Sequence, residues 1–112
     1  MTIKESDWKI FRNLREFALE RYCHRVLGDV RVTVDEQDKT YHQRYLNLFE
    51  LLRQKDKELA FAFDAPRRSQ AFIQLMTIIT EDLLTDAEVR QFSQETRDRI
   101  ELFRQKFCVE SD

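Results

Sequence analysis

The sequence predicts an all-α fold, a bundle of five to six short-to-medium helices in one domain over residues 1–112. Three observations carry that prediction. The chain of 112 residues holds one Gly and one Pro, whereas sheet proteins need many tight turns that draw on Gly for positive φ and Pro for fixed φ. Apolar residues recur at three- and four-residue steps, the period of a helix surface. Residues that cap helices stand ahead of several of those runs. Hydrophobic residues make up 42% of the chain, enough to offset chain entropy and exclude disorder. A chain of this length buries roughly 65% of its unfolded surface, so a core forms without staples.

The first helix is expected to open at Ser6 and Asp7, with Ser6 accepting from the first free N–H groups. Trp8, Phe11, Leu14, Ala18, Tyr22 and Val26 form its stripe. Ile10, Phe17, Leu19, Cys23 and Leu27 widen that stripe until the helix needs neighbours on more than one side. Gly28 is the expected left-handed end, with Val30, Val32 and Val34 as a fraying end or an extended link. Residues 35–39 are polar and read as a loop. Thr40 with Gln43 fits a capping box, and Tyr41, Tyr45, Leu48, Phe49 and Leu52 follow as a stripe. Residues 58–63 resume it, in the same helix or a short separate one.

Asp64 and Pro66 mark the next start, because Pro suits a first helical turn. Phe72, Leu75, Met76 and Ile79, flanked by Ile73 and Ile78, then give the central core helix. Thr85 with Glu88 makes a second capping box, and Leu84 with Val89 its hydrophobic staple. That helix is short, because Ser93 caps another, whose stripe is Ile100, Phe103 and Phe107. Residues 1–5 and 109–112 are expected to fray.

Several function classes fall away on composition. A net charge of −2 sets up no global field for nucleic acid or anionic lipid. No apolar run approaches the ~20 residues of a membrane span. Lys4, Glu5, Asp7, Lys9 and Arg12 interrupt the stretch where a signal peptide carries its apolar segment. The cytoplasm is therefore the expected location, with Cys23 and Cys108 as free thiols. A single Gly leaves no Gly-rich phosphate loop, and no nucleophile-elbow or zincin pattern is present.

What remains is weighed residue by residue. Glu20 and His24 stand at i, i+4 and could face one ion, with His42 as a third ligand. The simpler account is a helix-surface pair. Cys23 and His24 are adjacent, so they point about 100° apart on a helix and do not pair as nucleophile and base. No metal or cofactor is called for, and the sequence leans against an enzyme. Arg67 and Arg68 are candidate phosphate contacts for a small nucleic-acid-binding regulator. The acidic edge of Glu95, Asp98 and Glu101 opposes that reading, as does the alternation of Lys9, Arg12 and Arg15 with Asp7 and Glu16.

Nine Phe, three Tyr and one Trp are many for so small a core. Phe61 lies about 200° around a helix from Leu59, so it needs a second neighbour or stays exposed. The expected function is thus a protein–protein interaction or self-association module, forming a homo-oligomer or docking on another protein. Phe61, Trp8 and Tyr22 are its expected apolar anchors. The nucleic-acid regulator is the alternative, and an enzyme built on Glu20, His24 and His42 comes third.

Overall fold

Two long antiparallel helices form one layer of the molecule, and three shorter helices cover one side of its lower half. The computed structural model describes residues 2–111, with side chains through residue 106. The first long helix, α1, spans Glu5–Val34, about 45 Å at 1.5 Å per residue. Its N-cap is Lys4, which makes no side-chain cap bond, and Ser6 lies inside the first turn. Glu5 and Asp7 sit in that turn, where negative charge suits the helix dipole. Gly28 does not end the helix: its φ is not positive, and the chain stays helical through Val30, Val32 and Val34. A Gly inside a helix costs only about 1 kcal/mol, too little to stop a helix held by a neighbour along its length.

That neighbour is α2, Tyr41–Phe63. Thr40 Oγ1 accepts from the Gln43 N–H at 3.0 Å, but the Gln43 amide turns to Asn47 at 2.8 Å, so half of the expected box forms. Cross-links set the antiparallel register. Arg44 donates to the Val34 carbonyl (3.3 Å), the Tyr22 hydroxyl to the Lys55 carbonyl (3.1 Å), and Arg15 to the Phe63 carbonyl. Residue numbers rise on one helix as they fall on the other.

Past α2 the chain bends through Ala65, at φ 45°. Pro66 lies in this link and not in a helical first turn. A 3-10 turn, Arg68–Gln70, leads into α3, Ala71–Thr80. Ala71, Leu75, Met76 and Ile78 are buried there, so α3 is the central core helix, although Ile73 is exposed. It closes with Asp82 at φ 57°, whose N–H donates to the Ile79 carbonyl (2.9 Å), while the Leu83 N–H donates to that of Ile78 (3.1 Å). These two bonds are a Schellman closure, with Asp in the place glycine usually takes.

The short helix α4, Asp86–Val89, has both bonds of its capping box, and Leu84 and Val89 are buried around it as a staple. Ser93 precedes α5, Gln94–Ser111, and its Oγ accepts from the Thr96 N–H at 3.4 Å. Ile100 is buried. The side chain of Phe107 and the expected fraying of 109–112 lie outside the described side chains. Near the start of the chain, where fraying is expected, Ile3 is 2% exposed and its carbonyl accepts from Arg68 Nε at 2.8 Å. Phe11, Leu14, Phe63, Leu75, Phe92 and Ile100 belong to one continuous core. The molecule measures 52 × 33 × 23 Å, because the hairpin runs on past that core.

Candidate functional site: the uncovered face of the hairpin

One side of α1 is committed to the short helices. Phe11, Leu14 and Ala18 are buried on it, and polar side chains fasten it at both ends. Near the start, Asp7 is 1% exposed and accepts from the Ser93 N–H (2.8 Å), Ser93 Oγ (2.6 Å) and Thr96 Oγ1 (2.7 Å). Burial pushes its carboxyl up, but the bonds from Ser93 and Thr96 and the charge of Lys4 outweigh that and hold it below the usual range. Higher on the same side, Arg21 donates to the Leu83 carbonyl (2.8 Å) and grips both oxygens of Glu88 (2.7 and 3.0 Å). Arg25 donates to the Glu81 carbonyl at 2.8 Å. The bond from Arg21, with those of the capping box, draws the Glu88 carboxyl down to about 2.

Among the described residues, the opposite side of the hairpin has no such cover. On α1, Cys23, Leu27, Val30 and Val34 follow at steps of four, three and four. On α2, Tyr41, Tyr45, Phe49 and Leu52 follow at four, four and three, continued by Leu59. The two lines share one side of the layer, because Cys23, Val26, Leu27, Leu52 and Leu59 line a single groove of about 230 Å³, rimmed by Lys55 and Asp56. Leu27 is 58% exposed, Tyr45 67% and Phe49 62%. Of the stripe read on α2, Tyr41, Tyr45, Phe49 and Leu52 are exposed and Leu48 is half-buried, and the buried residues of α2 are Ala62 and Phe63, at its foot. The physical reason is side: the short helices pack on the face of the hairpin that carries Phe11, Leu14 and Ala18, and this stripe lies on the other one.

Charge is distributed along this face. Toward its foot, Lys9, Arg12 and Glu16 continue the α1 line, and with Asn13, Arg15 and Pro66 they border a concavity of about 560 Å³. At its tip, the connecting loop carries Asp35, Glu36 and Asp38 against Lys39. The face thus runs from a basic foot through an apolar middle to an acidic tip loop, beside which Arg44 of α2 reaches back to the Lys39 and Val34 carbonyls.

The residues singled out from the sequence are placed differently. Tyr22 is buried, stacks on Phe63 at 6.1 Å and donates to Glu58 Oε2 at 2.9 Å. It is a core residue that ties the hairpin together. Burial and the Glu58 carboxylate push its phenol up. Trp8 is half-buried, stacked on Phe11 at 5.9 Å with Arg12 over its ring. Phe61 is 64% exposed, beside a separate apolar concavity of about 270 Å³ shared with Tyr22, Thr77 and Leu83. Arg67 is exposed, near Pro66, and Arg68 is engaged with the Ile3 carbonyl. Glu20, His24 and His42 are exposed on two helices, and among the described residues no three His, Cys, Asp or Glu side chains group as ion ligands.

No helix among the described residues is long and apolar enough to cross a membrane. The chain matches no protein-family model, no curated protein and no solved structure.

Proposed function

We propose that this protein is a helical protein-interaction module that docks through the outer face of its α1–α2 hairpin. One observation carries the reading: Leu27, Val34, Tyr41, Tyr45, Phe49 and Leu52, all large and apolar, are exposed along a single two-helix face. Scattered exposed apolar residues are ordinary, but a contiguous patch rimmed by charge marks an interaction surface. Aromatic side chains also dominate the energetics of interface centres. A cytoplasmic location belongs to the same reading, and the free thiol of Cys23 beside the groove suits a reducing compartment.

The test is photo-crosslinking in living cells, with benzoylphenylalanine in place of Phe49 and, as control, of Glu101 on α5. Discrete protein adducts are expected from position 49 and not from 101. An absence of adducts at 49 under conditions where the protein is folded and abundant would remove this face from consideration.

A second reading, docking of nucleic-acid phosphates, is favoured by one feature. The fold brings Lys9, Arg12 and Arg15 beside Pro66, next to Arg67. It predicts binding to an oligonucleotide that weakens steeply with added salt. No binding at low salt excludes it.

A further inference from the structure

We infer that the occupant of the hairpin face is a second copy of this chain, packed antiparallel so that two hairpins make a four-helix bundle. This rests on the interaction-module reading and names its partner. The first argument is shape. The face is a two-helix layer carrying apolar residues at the three- and four-residue steps of a knobs-into-holes seam. A second two-helix layer of equal length completes such a seam on both helices at once.

The second argument is area. The three exposed aromatics, Tyr41, Tyr45 and Phe49, are 85%, 67% and 62% exposed and bring roughly 100–200 Å² of buriable surface each. With Leu27, Val34 and Leu52 the patch approaches the roughly 800 Å² per partner of a standard interface.

The third argument is charge, and it selects both partner and direction. A twofold axis lying in the face, across the helices at the level of the groove, reverses one hairpin on the other. From Cys23 at the groove, the end of α1 at Val34, where the acidic loop begins, lies about 17 Å up the hairpin and Arg12 about 17 Å down it, at 1.5 Å per residue. The reversal therefore lays the acidic tip of each copy against the basic foot of the other, twice over by symmetry. It also brings Phe49, a turn above the groove, down into the groove of the opposite copy. Tyr45 then lies over the partner's guanidinium-rich foot, a favourable cation–π pairing, while the Tyr41 ring already holds Arg44 of its own chain at 5.0 Å. A parallel dimer would set acidic tip on acidic tip and basic foot on basic foot.

The test is sedimentation equilibrium with charge-swapped variants. The wild-type chain is expected at twice its 13.7 kDa mass in the micromolar range. Phe49→Glu is expected as a monomer, with a helical circular-dichroism spectrum showing that it still folds. Two further variants reverse one end each: Glu36→Lys with Asp38→Lys at the tip, and Lys9→Glu with Arg12→Glu at the foot. Each alone should dimerise at least tenfold more weakly. Mixed in equal amounts they should recover affinity, because both contacts of the mixed pair then join opposite charges. A wild-type chain that stays monomeric at all attainable concentrations overturns the inference, and failure of the mixture to recover overturns the antiparallel register. A monomer whose position 49 crosslinks a different protein overturns the inference while leaving the interaction-module reading in place.

Discussion

Asp7 shows how a single side chain can join segments far apart in sequence. Its carboxylate receives a backbone N–H and two hydroxyls from the start of α5, so it anchors the last helix to the first. Such charge-assisted bonds are worth about 1.5–3 kcal/mol where the acceptor is buried. Because its folded-state carboxyl lies below the ordinary value, its contribution is full above the unfolded pKa and is lost as pH falls through the folded one. Glu88, drawn down to about 2 by Arg21, acts with the same sign. Chemical denaturation should therefore show stability declining as pH drops from about 5 toward 2. Asp7→Asn should be about 2 kcal/mol less stable at neutral pH, with a gap from wild type that narrows in acid. A gap that stays constant down to the lowest pH would mean that Asp7 acts by shape and not by charge.

At the scale of the element, local signals were legible and long-range ones were not. Thr85 and Glu88 announce α4 because both bonds of a capping box lie within one turn, and the structure contains both. Phe72, Leu75 and Met76 announce α3 because their density on one helix exceeds what a surface helix carries. Gly28 misleads because local propensity is a weak prior that tertiary contacts override. Here α1 is held on either side of the glycine by Tyr22 and by the Arg44 bond to Val34. The bond between Asp7 and Ser93 leaves no trace in either neighbourhood. The same asymmetry hides the site: spacing shows that Tyr41, Tyr45 and Phe49 share a stripe, but not whether a helix covers it. Gly28 supplies its own check. A Cβ there meets nothing within 4 Å, and the residue sits off the apolar line of α1. Gly28→Ala should raise stability by about 0.5–1 kcal/mol in a urea titration with self-association unchanged. Destabilisation would show that α1 needs flexibility at that turn.

The whole molecule is larger than its mass requires. A compact chain of this length has a radius of gyration of about 13 Å, against the 16.8 Å observed. The excess lies in the upper hairpin, where two helices support each other with solvent on most sides. Helical stability in proteins comes mainly from packing of an apolar face, and local opening is easiest where few apolar contacts are buried. Cooperativity should therefore divide along the length of the molecule. In hydrogen exchange at high dilution, amides of residues 27–52 should exchange much faster than those of α3, whose Leu75 and Ile78 are fully buried. Raising the protein concentration should slow the hairpin amides selectively, because a partner that binds only the ordered face stabilises it by mass action. The amides of α3 should change far less in the same series, since their cover is already within the chain. Uniform protection of hairpin and α3 at every concentration would show that the two helices are stable alone. The apolar stripe would then contribute nothing to folding through a partner.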